Sequence, residues 1–143
     1  FSIREQWEEI AGPVYHHLST EEFSTKGVPD WPTEEPRDGC VSRYGCTNYY
    51  EDVAEFAAYA ATESPRFFVS LLIPPREPGH DPNKYDPRYQ EKLDLLLVSG
   101  KITQERYDLI NHEVEAQKFF SSRTEEEWEL SRQKALQECP GCG

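Results

Sequence analysis

Helix start and stop signals divide most of this chain into short segments with apolar residues at helical intervals. Ser2 and Glu5 form a capping box, which opens a segment through Ile10 that Gly12-Pro13 ends. A short helix or turn over Val14 to Leu18 follows, and Ser19 with Glu22 repeats the capping pattern before Phe23. Asn48 heads an Ala-rich stretch that predicts a helix over 49–62. On its wheel Val53, Phe56 and Ala60 form an apolar stripe, which Tyr50, Ala54, Ala57 and Ala61 extend. Glu51 and Glu55 stack one turn apart on the polar side, with Asp52 and Tyr59 beside them. Ser64-Pro65 restarts a helix, with Pro at its first position, and Pro74-Pro75 stops it after Ile73. Asp86-Pro87 opens a helix through Ser99, closed by Gly100. Thr103 opens the next, through Phe120, and Thr124 with Glu127 opens the last, to about Glu138. These last two read as an α-hairpin with a charged outer face, in which Trp128 and Leu130 bury some apolar surface. The stretches 26–39 and 74–87 are Pro-rich loops. Cys40 to Tyr44, where Val41 and Arg43 alternate with Ser42 and Tyr44, is the one plausible strand.

The fold expected from these elements is mainly α, an orthogonal cluster of helices with long Pro-rich loops. Its 143 residues suit a single domain, 1–143, without a 20–50-residue repeat. The formal charge of −12 argues against nucleic acid or an anionic membrane surface as partners, since no Lys/Arg run is available to meet phosphates. Mean hydropathy is −0.81, and no apolar run approaches the roughly 18 residues of a spanning helix. With 3 Trp, 8 Tyr and 7 Phe, the chain is too aromatic for a disordered one. It contains no Met and begins Phe1-Ser2-Ile3, which predicts a processed or excised piece of something longer.

Cysteines and histidines offer chemistry of a limited kind. Cys40, Cys46, Cys139 and Cys142 allow three disulfide pairings or a four-cysteine zinc site, the last pair having zinc-ribbon spacing. Disulfides would place the chain in an oxidising compartment, hence secreted. No G-x-S-x-G, P-loop, G-x-G-x-x-G, EF-hand or H-E-x-x-H motif occurs. His112-Glu113 starts like the last of these, but Ala116 stands where the second ligand is needed. His16 and His17 are neighbours that point roughly 100° apart on a helix, and His80 falls in a turn.

The stretch 39–56 is more informative. Glu51 and Glu55 are like charges at i and i+4, which repel unless a cation lies between them, and their helix holds no Lys or Arg. Gly39-Cys40-Val41-Ser42-Arg43-Tyr44, followed by Glu51-Asp52-Val53-Ala54-Glu55, resembles the third-ligand region of gluzincin-type zinc metallopeptidases. It is similar in particular to the putative zinc-binding metallopeptidases of secreted lipoproteins and to the anthrax lethal factor peptidase domain. Those proteins place a G-F-V-S-x-Y-like stretch before a helix beginning E-D-F-A-E. The step of seven residues from Tyr44 to Glu51 also matches their pattern.

The resemblance implies that Glu51 is a zinc ligand, that Glu55 orients a ligand histidine, and that Tyr44 donates a hydrogen bond to the tetrahedral oxyanion. It covers about residues 1–100, with Trp7 to Ile10 resembling the stretch after H-E-x-x-H and Lys92-Leu93 the closing helices. On this reading residues 1–85 are the metallopeptidase-like part, and 86–143 are closing helices plus a C-terminal hairpin. The chain departs from the family in lacking the H-E-x-x-H helix, which would fall shortly before residue 1, and in Cys40 replacing an aromatic residue. The expected function is therefore the C-terminal part of a zinc metallopeptidase-like protein. It would cleave a peptide or protein substrate only when an upstream segment or chain supplies H-E-x-x-H. The alternatives are a non-catalytic secreted helical binding or effector domain, and an unrelated helical interaction protein. Burial of Tyr44, Glu51 and Glu55 in a concave site near His16 or His17 would favour the first two over the third.

Overall fold

The computed structural model describes residues 2–17, 21, 35–139 and 141. It is mainly helical, as the start and stop signals predict. The α-helices whose bounds are described are α1 (Ile3–Ala11), α2 (Tyr49–Thr62), α3 (Val69–Leu72), α4 (Pro87–Val98), α5 (Gln104–Ser122) and α6 (Glu125–Glu138). Five of them start at a side chain that accepts a hydrogen bond from an otherwise unpaired first-turn amide. Ser2 accepts from Glu5 N, Asn48 from Glu51 N, Asp86 from Arg88 N, Thr103 from Arg106 N and Thr124 from Glu127 N, at 2.9–3.1 Å.

Three segments differ from the expected elements. The stretch 40–44 is not a strand: Cys40 makes an isolated bridge to Arg37, and Tyr44–Thr47 is one turn of 3₁₀ helix. The short disulfide loop leaves no room to extend. The expected helix 64–73 is a 3₁₀ turn, Pro65–Phe68, running into the single α turn of α3. Residues 14–17 are not helical, because His16 N and His17 N are spent on Cys46 O and Thr47 O, at 3.0 and 2.9 Å. Leu18, the capping pattern at Ser19 and Glu22, residues 26–34 of the first loop and Cys142 lie outside the described residues.

The core lies between α1, α2, α3, α4 and α5. Trp7, Phe56, Phe68 and Tyr89 meet there, with ring centroids 5.8–6.3 Å apart, and Leu71, Ile73, Leu93, Leu96 and Ile110 fill the remainder. Trp7 meets Phe56 edge to face, which adds attraction to their large burial, while Phe68 and Tyr89 are tilted against Phe56. Arg106 on α5 closes the far end of α2, donating to Ala60 O and Glu63 O at 2.8 and 2.6 Å. α6 differs from the other helices in burying none of its residues. Leu130, expected to be covered, is exposed, while Trp128 stacks on Phe120 with centroids 5.4 Å apart.

Asp86 fastens α4 to α1. It accepts from Arg88 Nε and Nη2 at 3.0 and 2.6 Å, and Arg88 Nη1 reaches Ala11 O at 3.2 Å. Burial works against the Asp86 charge, but hydrogen bonds from the Arg88 side chain and backbone outweigh it and hold the carboxyl below its ordinary 3.8. A depressed carboxyl contributes stability above its unfolded value and loses it as the pH falls through the lower folded value. Asp86→Asn, which can still cap the helix, should therefore lower the urea midpoint at about pH 7. The deficit should begin to shrink below about pH 3.8, where the unfolded carboxyl is protonated, and close as the pH falls through the lower folded value; a deficit that stays constant down to about pH 2 would exclude the charge as its source.

Candidate functional site

Tyr44, Glu51 and Glu55 sit on one small unit built from the Tyr44–Thr47 turn and the head of α2. Disulfide Cys40–Cys46 closes the loop that leads into the turn, and both cysteines are buried, 0% and 1% exposed. Inside the loop Ser42 Oγ accepts from Gly45 N at 3.0 Å, and Thr47 Oγ1 donates to Tyr44 O at 2.6 Å. Gly45 lies against α2, where a Cβ would meet Glu55 Cβ at an ordinary contact distance of 3.5 Å and Ser42 Oγ, inside the loop, at 3.3 Å. Asn48 then caps α2 at Glu51 N, so the turn passes into the helix without slack.

Beneath this unit lies a buried charge pair. Asp52 Oδ2 accepts hydrogen bonds from Trp7 Nε1 at 2.9 Å, Tyr15 OH at 2.7 Å and Lys92 Nζ at 2.7 Å. Both Asp52 and Lys92 are fully buried. Lys92 Nζ also donates to Gly39 O at 2.8 Å, and Tyr89 OH to Cys40 O at 3.0 Å. One lysine thus ties α4, α2 and the start of the disulfide loop to a single point, 5.4 Å from the Trp7 ring centroid. Burial pushes the Lys92 ammonium below its usual range while the Asp52 carboxylate pulls it back up. Burial, then the facing Asp52 charge, pushes the Tyr15 phenol up. Buried charges survive only when paired and hydrogen-bonded in this way.

The wheel reading of α2 needs correction here. Its buried stripe is Asp52, Phe56 and Ala60, with Val53 half-buried; Tyr50 and Ala54 are exposed. Asp52 thus belongs to the core side, not to the face of Glu51 and Glu55. Trp7, Asp52 and Lys92 fall in stretches that carry the family resemblance, but it gives no role to them or to Tyr15. The signal available was Lys92 itself, which shares a helix face with Tyr89, Leu93 and Leu96 and therefore needs an acidic partner in the core.

Tyr44, Glu51 and Glu55 are each half-buried, neither fully enclosed nor fully exposed. His16 comes close to the turn, with Nε2 3.4 Å from Arg43 O. A cleft of about 240 Å³ opens beside His17, lined by Arg4, Glu8, Tyr15, His17, Asn48, Tyr49 and Tyr50. It adjoins the residues just before Glu51 but not Glu51 itself. His80 is turned to Ile73 O, with Nδ1 at 3.2 Å. His112 lines a separate depression with Glu105, Asp108 and Leu109. Cys139 is disulfide-bonded and exposed. With Cys40 bonded to Cys46, a joint four-cysteine zinc site is excluded.

Among the described residues no group of three or more His, Cys, Asp or Glu side chains is placed to hold a metal ion. A catalytic zinc needs three protein ligands and an open position. Glu51 can be one of the three, so the described residues do not by themselves fit the zinc that the resemblance implies. No helix among them is long and apolar enough to cross a membrane. Compared with protein-family models, curated proteins and solved structures, the chain matches none of them.

Proposed function

We propose that this chain is the glutamate-bearing, C-terminal part of a secreted zinc metallopeptidase-like protein. Hydrolysis of a peptide or protein substrate then requires an upstream segment carrying H-E-x-x-H. What supports the reading is the way Tyr44, Glu51 and Glu55 are held. The buried disulfide, the Asn48 cap and the Asp52–Lys92 pair fix all three on one unit. A hydrolytic site needs its ligand and its oxyanion donor positioned to a fraction of an ångström, and rigid support of this kind provides that. Glu51 would contribute one zinc ligand, Glu55 would hold a histidine of the other segment, and Tyr44 would donate to the oxyanion.

The test joins sequence to metal analysis. The coding sequence just before residue 1 should encode H-E-x-x-H. The protein containing it should carry about one zinc per chain by mass spectrometry. Glu51→Gln should lose that zinc, and Glu113→Gln on α5 should keep it. The reading falls if no such motif precedes residue 1, or if Glu51→Gln retains its metal.

A further inference from the structure

We propose that the cleft beside His17 binds one neutral pyranose ring of a glycan. Neither Tyr44, Glu51 nor Glu55 lines it, so this inference does not depend on the zinc reading. Its volume of about 240 Å³ lies below the range of sites for drug-sized ligands and suits a single sugar ring. Four aromatic rings line it, those of Tyr15, His17, Tyr49 and Tyr50, and no aliphatic side chain among the described residues does. The rings form two contacting pairs, Tyr49 with Tyr50 at 5.2 Å between centroids and Tyr15 with His17 at 6.2 Å. They are held in place without a ligand. Arg4 lies over Tyr49 and Tyr50 and donates to Tyr50 OH at 2.8 Å. Tyr15 OH donates to the buried Asp52 at 2.7 Å, and His17 N to Thr47 O at 2.9 Å. Rings already ordered lose little freedom when a ligand stacks on them.

The polar groups of the cleft select the class of ligand. The Arg4 guanidinium and the Glu8 carboxylate are paired with each other, so a charged ligand would have to break that pair. Asn48 Oδ1 is taken by Glu51 N at 3.0 Å, which leaves its Nδ2 to donate. The second carboxylate oxygen of Glu8 can accept, and the hydroxyl of Tyr49 can do either. An apolar side chain inserted here would cover the rings but strip water from these groups without replacing its hydrogen bonds. A pyranose satisfies both demands. The C–H groups on a face of the sugar lie against an aromatic ring, while the hydroxyls around its edge donate and accept. It carries no charge, so the Arg4–Glu8 pair stays intact and keeps Tyr49 and Tyr50 in position.

The native chain is titrated with methyl β-D-glucopyranoside, methyl β-D-galactopyranoside and methyl α-D-mannopyranoside, and its amides are followed by NMR. N-acetyl-tyrosinamide and glucuronate serve as the aromatic and the anionic comparison. At least one of the three glycosides should bind with a Kd of about 1–10 mM, shifting the amides of Arg4, His17, Tyr49 and Tyr50 and leaving those of α6 unmoved. Tyr50→Ala, at a position 64% exposed, should keep the fold by circular dichroism and weaken that binding at least about tenfold. Phe119→Ala, at an exposed position on α5, should leave it unchanged. No shift with any of the three up to about 50 mM would overturn the proposal. So would an affinity that Tyr50→Ala does not alter. Tighter binding of N-acetyl-tyrosinamide would also overturn it and make the cleft a seat for a peptide side chain, and tighter binding of glucuronate would make it an anion site instead.

Discussion

Lys92→Met is expected to destabilise the protein by about 3–5 kcal/mol, more than any surface charge in the chain. The substitution removes the ammonium that lies 2.7 Å from Asp52 Oδ2 and leaves a carboxylate at full burial with only the Trp7 and Tyr15 donors. It also strips Gly39 O of its 2.8 Å donor at the start of the disulfide loop. The asymmetry between a paired and an orphaned buried charge is the physical basis of the figure. Asp52→Asn combined with Lys92→Met should therefore recover much of the loss, because neither charge is then left alone. Urea unfolding of the native chain, both single variants and the double variant forms a cycle whose coupling should exceed about 1.5 kcal/mol. A Lys92→Met loss below about 1 kcal/mol would mean that the pair is not ionised in the folded protein. By contrast, the exposed pairs Arg132–Glu129 and Lys134–Glu138 on α6 should contribute little, because water and salt screen them.

The same pair shows where reading the sequence succeeded and where it failed. Local signals were legible because the forces behind them are local. Ser2, Asn48, Asp86, Thr103 and Thr124 each satisfy an amide two or three residues away, and the α-helix predicted to start at each of these five is found. The 3₁₀ turn at Pro65 and the missing strand at Cys40 depend instead on partners distant in sequence. Whether Cys40–Tyr44 extends is decided by a bond to Cys46, by Tyr89 and by Lys92. Asp52 was assigned to the polar face because carboxylates usually lie there. What overrides this is a lysine 40 residues away on another helix, which no helical wheel of α2 contains. Glu51 and Glu55 were legible as candidates from their spacing and from the stretch before them. Their half-buried setting was not, because it depends on how the disulfide-closed loop and its turn pack against α2.

The aromatic face beside them was likewise hidden. Arg4 on α1 lies over the rings of Tyr49 and Tyr50, at 5.1 and 5.0 Å, and donates to Tyr50 OH at 2.8 Å. That contact explains how Tyr50 can be 64% exposed and still ordered at the head of α2. Together with Asp52 it fastens both sides of the first turn of α2 to α1, so the direction of Glu51 is set by α1 as much as by its own helix.

Removing the Cys40–Cys46 bond, by Cys40→Ala with Cys46→Ala, should cost about 2–4 kcal/mol. Closing a loop this short restricts the unfolded chain by about 2 kcal/mol, and the two sulfurs lost are fully buried, so unfilled space adds to the loss. Where the loss falls matters more than its size. If the bond also holds the folded turn in place, native-state hydrogen exchange will speed up at the amides of Cys40 and Cys46 and at those of His16 and His17, which bond to Cys46 O and Thr47 O. Amides in the middle of α4 and α5 will keep their protection relative to global unfolding. Uniform acceleration across all helices would show instead that the bond acts only through the unfolded chain. The first outcome makes the disulfide the device that holds Tyr44 against the head of α2; the second leaves that task to Lys92, Tyr89 and the Asn48 cap, which the alanine variants retain.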